Sequence, residues 1–150
     1  MNESLNKTSV DIILPNYNSY PYIEETLESI INQSFKNWKL FIIDCNSNIE
    51  TRKSLKKYID HPRINIKWLE KNKRPGFCRN LAIRNSKSEY IAFIDSDDIW
   101  HQEKLSKQLA FMIKNKYNFT YTNYTAFKFT NEPNNLRGIK PPKYFSFEKF

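Results

Sequence analysis

Three carboxylates and a hydroxyl stand together at Asp95, Ser96, Asp97 and Asp98, directly after the apolar residues 90–94. A short apolar run that contains Tyr, Ile and Phe is typical of a buried strand. In an open α/β sheet, ligands bind beyond the carboxyl ends of the strands. Carboxylates this close repel one another unless a cation or hydrogen bonds offset their charge. The sequence therefore predicts a divalent-metal site for a phosphorylated ligand, and the alternative is a loop in which Asp98 only caps the following helix.

Strand and helix patterns alternate along the chain. Apolar runs and alternation predict strands at residues 10–14, 38–44, 63–70, 90–95 and 119–129. Helical periodicity and start signals predict helices that begin near Pro21 and that cover residues 51–59, 77–85 and 103–115. This order favours an α/β fold, a mostly parallel sheet flanked by helices with right-handed crossovers. In such a sheet the strand ends bring residues 15–18, 44–47 and 95–98 to one edge.

Composition bounds the class of protein. A chain of 150 residues with 39% hydrophobic residues is long enough for one domain with a real core. It contains neither a dinucleotide-binding GxGxxG nor a P-loop. Cys45 and Cys78 are not in CxxC spacing, which indicates reduced thiols of a cytosolic protein rather than a disulfide or a zinc site. The sequence shows no secretory signal and no apolar run long enough to span a membrane.

Three motifs resemble one enzyme family in the same order along the chain. They are ILPNYNSYPYIEETLESIINQSF, then LFIIDCNS, then GFCRNLAIRNSKSEYIAFIDSDDIW followed by KL. From about residue 10 to about residue 112, the chain is similar to family 2 glycosyltransferases of the GT-A fold. The resemblance implies transfer of a sugar, with inversion, from a nucleotide diphosphate sugar that is usually UDP-linked. The acceptor would be a hydroxyl in polysaccharide or lipid-linked glycan synthesis.

The acidic motif has family roles that the resemblance carries over. It implies that Asp97 is a ligand of a Mn²⁺ or Mg²⁺ ion that bridges the two phosphates. It also implies that Asp95 contacts the ribose hydroxyls or a water on the metal. Ser96 lies between them in the same nucleotide-sugar site. A metal at this place offsets the charge that builds on the departing diphosphate. Asp98 is interpreted as the N-cap of the next helix.

The other two motifs imply contacts with the nucleoside and the phosphates. Pro15, Asn16 and Tyr17 match the family segment that lies along the nucleoside, although Tyr17 could equally be a packing residue. Asp44 matches the first acid of a family loop whose second acid contacts the uracil ring, and this second position is Cys45 here. A thiol is a weak hydrogen-bonding group, so the base contact departs from the family pattern. Arg79, near the start of a helix, is expected to contact phosphate, and the alternative is a surface arginine.

The domain prediction follows from the extent of the resemblance. Residues 1–9 are a tail, residues 10–130 form a nucleotide-sugar-binding GT-A domain, and residues 131–150 begin an acceptor-binding half that is cut short. The general base of the inverting reaction is expected beyond Phe150, so this chain alone is expected to be inactive. An alternative function is a non-catalytic nucleotide-sugar-binding fragment.

Charge and aromatic residues suggest partners. The formal net charge of +8 is compatible with a cytoplasmic protein that contacts the inner face of the membrane peripherally. A basic, aromatic stretch at residues 116–129 could indicate nucleic-acid binding. Alternation in a sheet explains it equally well, and no nucleic-acid partner is predicted. Exposed aromatics among residues 144–150 could cause self-association.

Overall fold

The computed structural model describes residues 8–126 and 137–139. Its main sheet has four parallel strands in the order β3-β2-β1-β4. These strands are β1 (Val10–Asn16), β2 (Trp38–Asp44), β3 (Ile64–Trp68) and β4 (Tyr90–Phe93). The predicted parallel α/β fold is confirmed, and all four strands lie where apolar runs predicted them.

Helices connect the parallel strands. They are α1 (Ile23–Ile31), α2 (Ile49–Lys56), α3 (Pro75–Ile83) and α4 (Lys104–Asn115). α1, α2 and α3 are the crossovers that parallel pairing requires. α3 begins at a proline, whose missing N–H costs nothing at the first helical position. α4 begins at Lys104, well after Asp98, so the prediction that Asp98 caps this helix is wrong. The backbone N–H of Asp98 instead donates to the Asp95 carbonyl in a turn.

The core lies on both faces of the sheet. Successive residues of a strand point to opposite faces. Ile12 accordingly belongs to a large cluster with Leu27 of α1, whereas Ile13 belongs to a smaller one with Ala82 of α3. All seven residues of β1 are buried, because β1 is central and covered on both sides. Burial of such apolar surface is the main force that holds the strand ends in register.

A buried carboxylate fastens the chain before β4 to β1. Asp11 is 2% exposed, and its two carboxylate oxygens accept hydrogen bonds from the loop that precedes β4. The donors are the hydroxyls of Ser86 and Ser88 and the backbone N–H groups of Lys87 and Ser88, at 2.7 to 3.1 Å. Burial by itself would raise the pKa of Asp11, but these hydrogen bonds lower it below its ordinary value. This network fixes where β4, and therefore the acidic motif, enters the sheet.

The described residues fall into two compact units that divide between Ala110 and Phe111. In the second unit, β5 (Tyr124–Ala126) pairs antiparallel with β6 (Arg137–Ile139). The predicted strand at residues 119–129 is therefore three residues long in the described part. The predicted boundary at residues 130 and 131, and the aromatic residues 144–150, lie outside the described residues. Within the described residues, no helix is long and apolar enough to cross a membrane.

Candidate active site

A cavity of about 660 Å³ opens at the carboxyl ends of the parallel strands. This volume lies within the range of about 300–1,000 Å³ that is usual for small-molecule sites. The lining residues are Pro15, Asn16, Tyr17, Cys45, Asn72, Lys73, Arg74, Pro75, Arg79, Asp95, Ser96 and Asp97. All of the residues that the motifs single out as candidates for the site, except Asp44, therefore line one cavity.

Helix α1, together with Gln33 just after it, holds the acidic motif and the residues that follow the motif through backbone groups. The Thr26 hydroxyl donates to the Ser96 carbonyl at 3.2 Å, and the Ser29 hydroxyl accepts from the Trp100 N–H at 3.1 Å. Gln33 is fully buried, donates to the His101 carbonyl at 2.8 Å and accepts from the Leu105 N–H at 3.0 Å. These contacts leave the side chains of Asp95 and Asp97 available at the cavity.

The electrostatics of the motif favour a cation. The pKa of Asp98 is raised, mainly because its carboxyl group is partly desolvated and also because the carboxylates of Asp95 and Asp97 repel its charged form. Among the described residues, no group of three or more His, Cys, Asp or Glu side chains is close enough to hold a metal ion. Mg²⁺ and related hard cations commonly take only one or two carboxylates, with phosphate oxygens and water completing the shell. The two cavity carboxylates fit a metal that arrives with a diphosphate.

Arg79 is paired with the acidic motif. Its guanidinium forms an ion pair and hydrogen bond with the Asp95 carboxylate. Both side chains are partly exposed, so the pair stabilises the fold little. Its main effect is on orientation, because a planar guanidinium fixes the carboxylate that it contacts. The expected phosphate contact of Arg79 stays a prediction, and one of its donors is already used by Asp95.

Asp44 lies beneath the cavity instead of lining it. It is fully buried, and its carboxylate accepts from Asn16 Nδ2 at 2.8 Å, the Ser47 N–H at 3.2 Å and Arg52 Nε at 3.4 Å. Arg52 also lies over the Trp68 ring, with 5.5 Å between its guanidinium carbon and the ring centroid. The carboxylate therefore fixes Asn16, a cavity residue, and its own contact with a nucleotide stays a prediction.

The prediction that Cys45 and Cys78 are separate reduced thiols is wrong: the structure joins their sulfur atoms in a disulfide. Cys45 directly follows β2, and Cys78 lies in the first turns of α3, which packs against the same face of the sheet. Sequence spacing could not reveal this, because the two residues are 33 positions apart. Cys45 is only 2% exposed, so it presents little surface to the cavity that it lines.

The disulfide leads to a labelling prediction. Denatured protein prepared without reductant is expected to take up no maleimide at either cysteine, because a disulfide has no nucleophilic thiolate. After reduction both Cys45 and Cys78 are expected to react, and mass spectrometry counts the labels. The variant Cys45→Ser is the control, since it leaves Cys78 as a thiol that labels without reductant. Two labels on the unreduced wild-type chain would contradict the disulfide.

Sequence reasoning missed residues 72–75, which line the cavity between β3 and α3. Residues 72–74 form a polar loop with no periodicity, and Pro75 begins α3. The available signal was two adjacent basic side chains, Lys73 and Arg74, just before the Pro75-Gly76 break. A side chain at Gly76 would meet nothing within 4 Å, so the fold itself leaves open space there.

Comparison with known proteins agrees with the fold and with the motifs. The sequence model of glycosyl transferase family 2 matches residues 11–150. The chain belongs to glycosyltransferase family 2. It is 40% identical over 121 residues to TuaG of Bacillus subtilis (strain 168), which is 79% of this chain and 48% of TuaG.

Other relatives have more specific names or solved structures. The chain is 37% identical over 115 residues, 77% of its length and 45% of the relative, to the Escherichia coli UDP-Glc:alpha-D-GlcNAc-diphosphoundecaprenol beta-1,3-glucosyltransferase WfgD. The structure of S. aureus TarS 1-349 in complex with UDP superposes with a TM-score of 0.67 at 32% identity, covering 72% of this chain and 33% of that one. TarS 1-349 is also solved with UDP-GlcNAc. The chain spans about half the length of TuaG and of WfgD.

Proposed function

We propose that the cavity binds a nucleotide diphosphate sugar, with UDP as the nucleotide, and that the chain is the donor-binding part of an inverting glycosyltransferase. One observation carries the proposal. Asp95, Ser96 and Asp97 share a single cavity with the segment from Pro15 to Tyr17 and with Arg79. Solved structures of the neighbour TarS contain UDP and UDP-GlcNAc.

Each wall of the cavity has a proposed task. Asp97 is a ligand of Mn²⁺ or Mg²⁺, and Asp95, oriented by Arg79, faces the ribose hydroxyls or a water on the metal. The metal, when bound, offsets the negative charge of the departing diphosphate. Pro15 and Tyr17 lie along the nucleoside, and Asn16 is held in place by Asp44. These residues bind and orient the donor for attack at the sugar carbon.

The second half of the reaction needs a proton acceptor for the attacking hydroxyl. Among the described cavity residues only Asp95 and Asp97 carry carboxylates, and both have tasks at the diphosphate end. We therefore assign no general base to the described residues. The relatives are named as transferases, which disfavours a purely non-catalytic binding module.

The acceptor class and the location extend the same proposal. WfgD is named for a diphosphoundecaprenol-linked acceptor. A lipid-linked glycan acceptor would place the protein at the cytoplasmic face of a membrane. The net charge of +8 suits attraction to anionic headgroups there.

Calorimetric titration tests the donor proposal. UDP is expected to bind the wild-type chain in the presence of Mn²⁺, and much more weakly after the metal is removed, because no cation then lies between the diphosphate and the carboxylates of Asp95 and Asp97. Titration of GDP and dTDP under the same conditions measures base preference. Binding that is absent, or that does not change when Mn²⁺ is removed, would overturn the assignment of this cavity to a metal–diphosphate.

A further inference from the structure

The disulfide ties one wall of the cavity to the sheet. Cys45 follows β2 and lines the cavity, and its backbone N–H donates to the Asn16 carbonyl at 2.8 Å. Cys78 lies in the first turn of α3, directly after the exposed chain that contributes residues 72–75 to the cavity wall. The bond between Cys45 and Cys78 therefore fixes the start of α3 to the end of β2.

The wall segment has few other anchors. Leu69 is held, because its N–H donates to the Asp44 carbonyl at 2.8 Å. Residues 70–77 are all exposed, and Cys78 is the next buried residue along the chain. A segment with few buried contacts opens locally at a low cost in free energy. The disulfide therefore restrains a segment that packing restrains little.

Helix α3 also connects this wall with the acidic motif. Arg79 directly follows Cys78, and its guanidinium pairs with the Asp95 carboxylate. Both partners of that pair are partly exposed, so the pair alone holds α3 weakly. Cys45 and Cys78 also belong to the smaller core cluster, through which α3 packs on the sheet. Breaking the disulfide would therefore loosen the start of α3 and, through Arg79, the orientation of Asp95.

Reduction of this bond is a two-electron exchange with a dithiol. A thiolate of the dithiol attacks one sulfur, forms a mixed disulfide with it and releases the other cysteine as a thiolate. Cys45 is the sulfur that the cavity offers, since Cys78 is fully buried. Cys78 is then the leaving group, and its place in the first turn of α3 favours the thiolate. The second thiol of the reductant closes its own disulfide and releases Cys45, and each cysteine sulfur ends with one proton.

We propose that the Cys45–Cys78 disulfide is a redox switch that controls how tightly the cavity binds its ligand. That ligand is the nucleotide diphosphate sugar of the proposed function, on which this proposal rests. In the oxidised chain the wall and Arg79 are already in place, so binding does not have to order them. In the reduced chain this ordering costs free energy, and the nucleotide binds more weakly. A cytoplasmic location suits such a switch, because disulfides of cytosolic proteins are usually transient and catalytic or redox-sensing.

Titration of UDP with Mg²⁺ into oxidised and reduced protein tests the switch. The reduced protein is prepared with dithiothreitol and is kept under nitrogen after the reductant is removed. Reduction is expected to weaken UDP binding about tenfold, within the usual range of coupling between two sites. Reoxidation is expected to restore the original affinity. Cys78→Ala cannot form the bond and does not alter a residue that lines the cavity, so it should bind UDP as the reduced wild type does, with or without reductant.

Linkage between the two equilibria provides a second measurement. A nucleotide that prefers the oxidised chain by a given factor must stabilise the disulfide against reduction by the same factor. Saturating UDP is therefore expected to make the midpoint potential of the disulfide more negative by about 30 mV, the equivalent of a tenfold preference. Equilibration in dithiothreitol redox buffers with Mg²⁺, followed by thiol labelling and mass spectrometry, measures this potential with and without UDP.

Amide hydrogen exchange distinguishes a local switch from a purely structural disulfide. The N–H groups of Phe77 and Cys78 donate to the Arg74 carbonyl at 3.0 and 3.3 Å, and reduction is expected to speed their exchange while β1 stays protected. Equal UDP affinity of the oxidised and reduced wild type would overturn the proposal, and so would loss of cooperative unfolding on reduction. An oxidised wild type that does not bind UDP would instead refute the proposed function, and the switch with it.

Discussion

Asp97→Ala is expected to abolish the Mn²⁺-dependent part of UDP binding while leaving the fold intact. Asp97 is exposed at the cavity, and the structure gives its carboxylate no hydrogen bond or ion pair within the described residues. Its removal should therefore cost the fold little. Loss of a residue that only orients a metal ligand typically weakens metal binding by about 10- to 100-fold, and loss of a ligand itself should cost at least about 100-fold.

Two measurements check this expectation. Titration of UDP with and without Mn²⁺ gives the metal-dependent part of the affinity, and thermal unfolding without nucleotide reports the fold. Asp98→Asn is the matched control, because Asp98 is the adjacent carboxylate and does not line the cavity. If Asp97→Ala keeps the metal dependence of the wild type, Asp97 is not the ligand.

Asp11→Ala is expected to lower the free energy of unfolding by about 3 kcal/mol at neutral pH. The substitution leaves the hydroxyls of Ser86 and Ser88 and two backbone N–H groups without their acceptor. Hydrogen bonds to a charged group are worth about 1.5–3 kcal/mol each, and partial resolvation of the exposed donors reduces their sum. Urea unfolding of the variant and the wild type measures the difference.

The effect of Asp11 is expected to depend on pH in a defined direction. The pKa of Asp11 is lower in the folded chain than its ordinary value of 3.8. In acid, the Asp11 carboxylate is therefore protonated more readily in the unfolded chain than in the folded one, and acid favours unfolding. The stabilisation is complete above the unfolded pKa of about 3.9 and is lost as pH falls through the folded pKa. The gap between wild type and Asp11→Ala should narrow below about pH 4. Asp60 is an exposed carboxylate with no hydrogen bond in the described residues. The variant Asp60→Ala should therefore differ little from the wild type in free energy of unfolding at any pH. A gap that stays constant into acid would refute the linkage.

The parts of the fold that the sequence predicts best are those in which local pattern and tertiary role agree. β1 and β2 are largely buried apolar runs that end in polar residues, whereas β4 is a half-exposed apolar edge strand that the acidic motif follows. A parallel sheet brings such ends to one edge. The convergence of Asp95 and Asp97 with Asn16 on one cavity follows from that topology alone. For this reason the motif positions could be predicted without knowing a single side-chain contact.

The features that the sequence does not predict depend on contacts between distant segments. The disulfide joins residues 33 positions apart, and the partners of the buried Asp44 carboxylate come from two separate elements, Asn16 from the end of β1 and Arg52 from α2. Residues 72–75 have no periodicity, and only the packing of α3 on the sheet brings them to the cavity. Local patterns cannot encode these placements, because they arise from tertiary packing.

The way α1 and Gln33 hold the loop that begins with the acidic motif has a consequence for laboratory evolution of this protein. Thr26 and Ser29 of α1, and Gln33 just after it, anchor this loop and the start of α4 only through backbone carbonyl and N–H groups. Those backbone groups persist when the loop side chains change. A mutant library that varies Ser96 and residues 72–74 can therefore explore donor preference with the loop still in place. A library that also randomises Thr26, Ser29 and Gln33 would consist mostly of variants whose loop has lost its anchors.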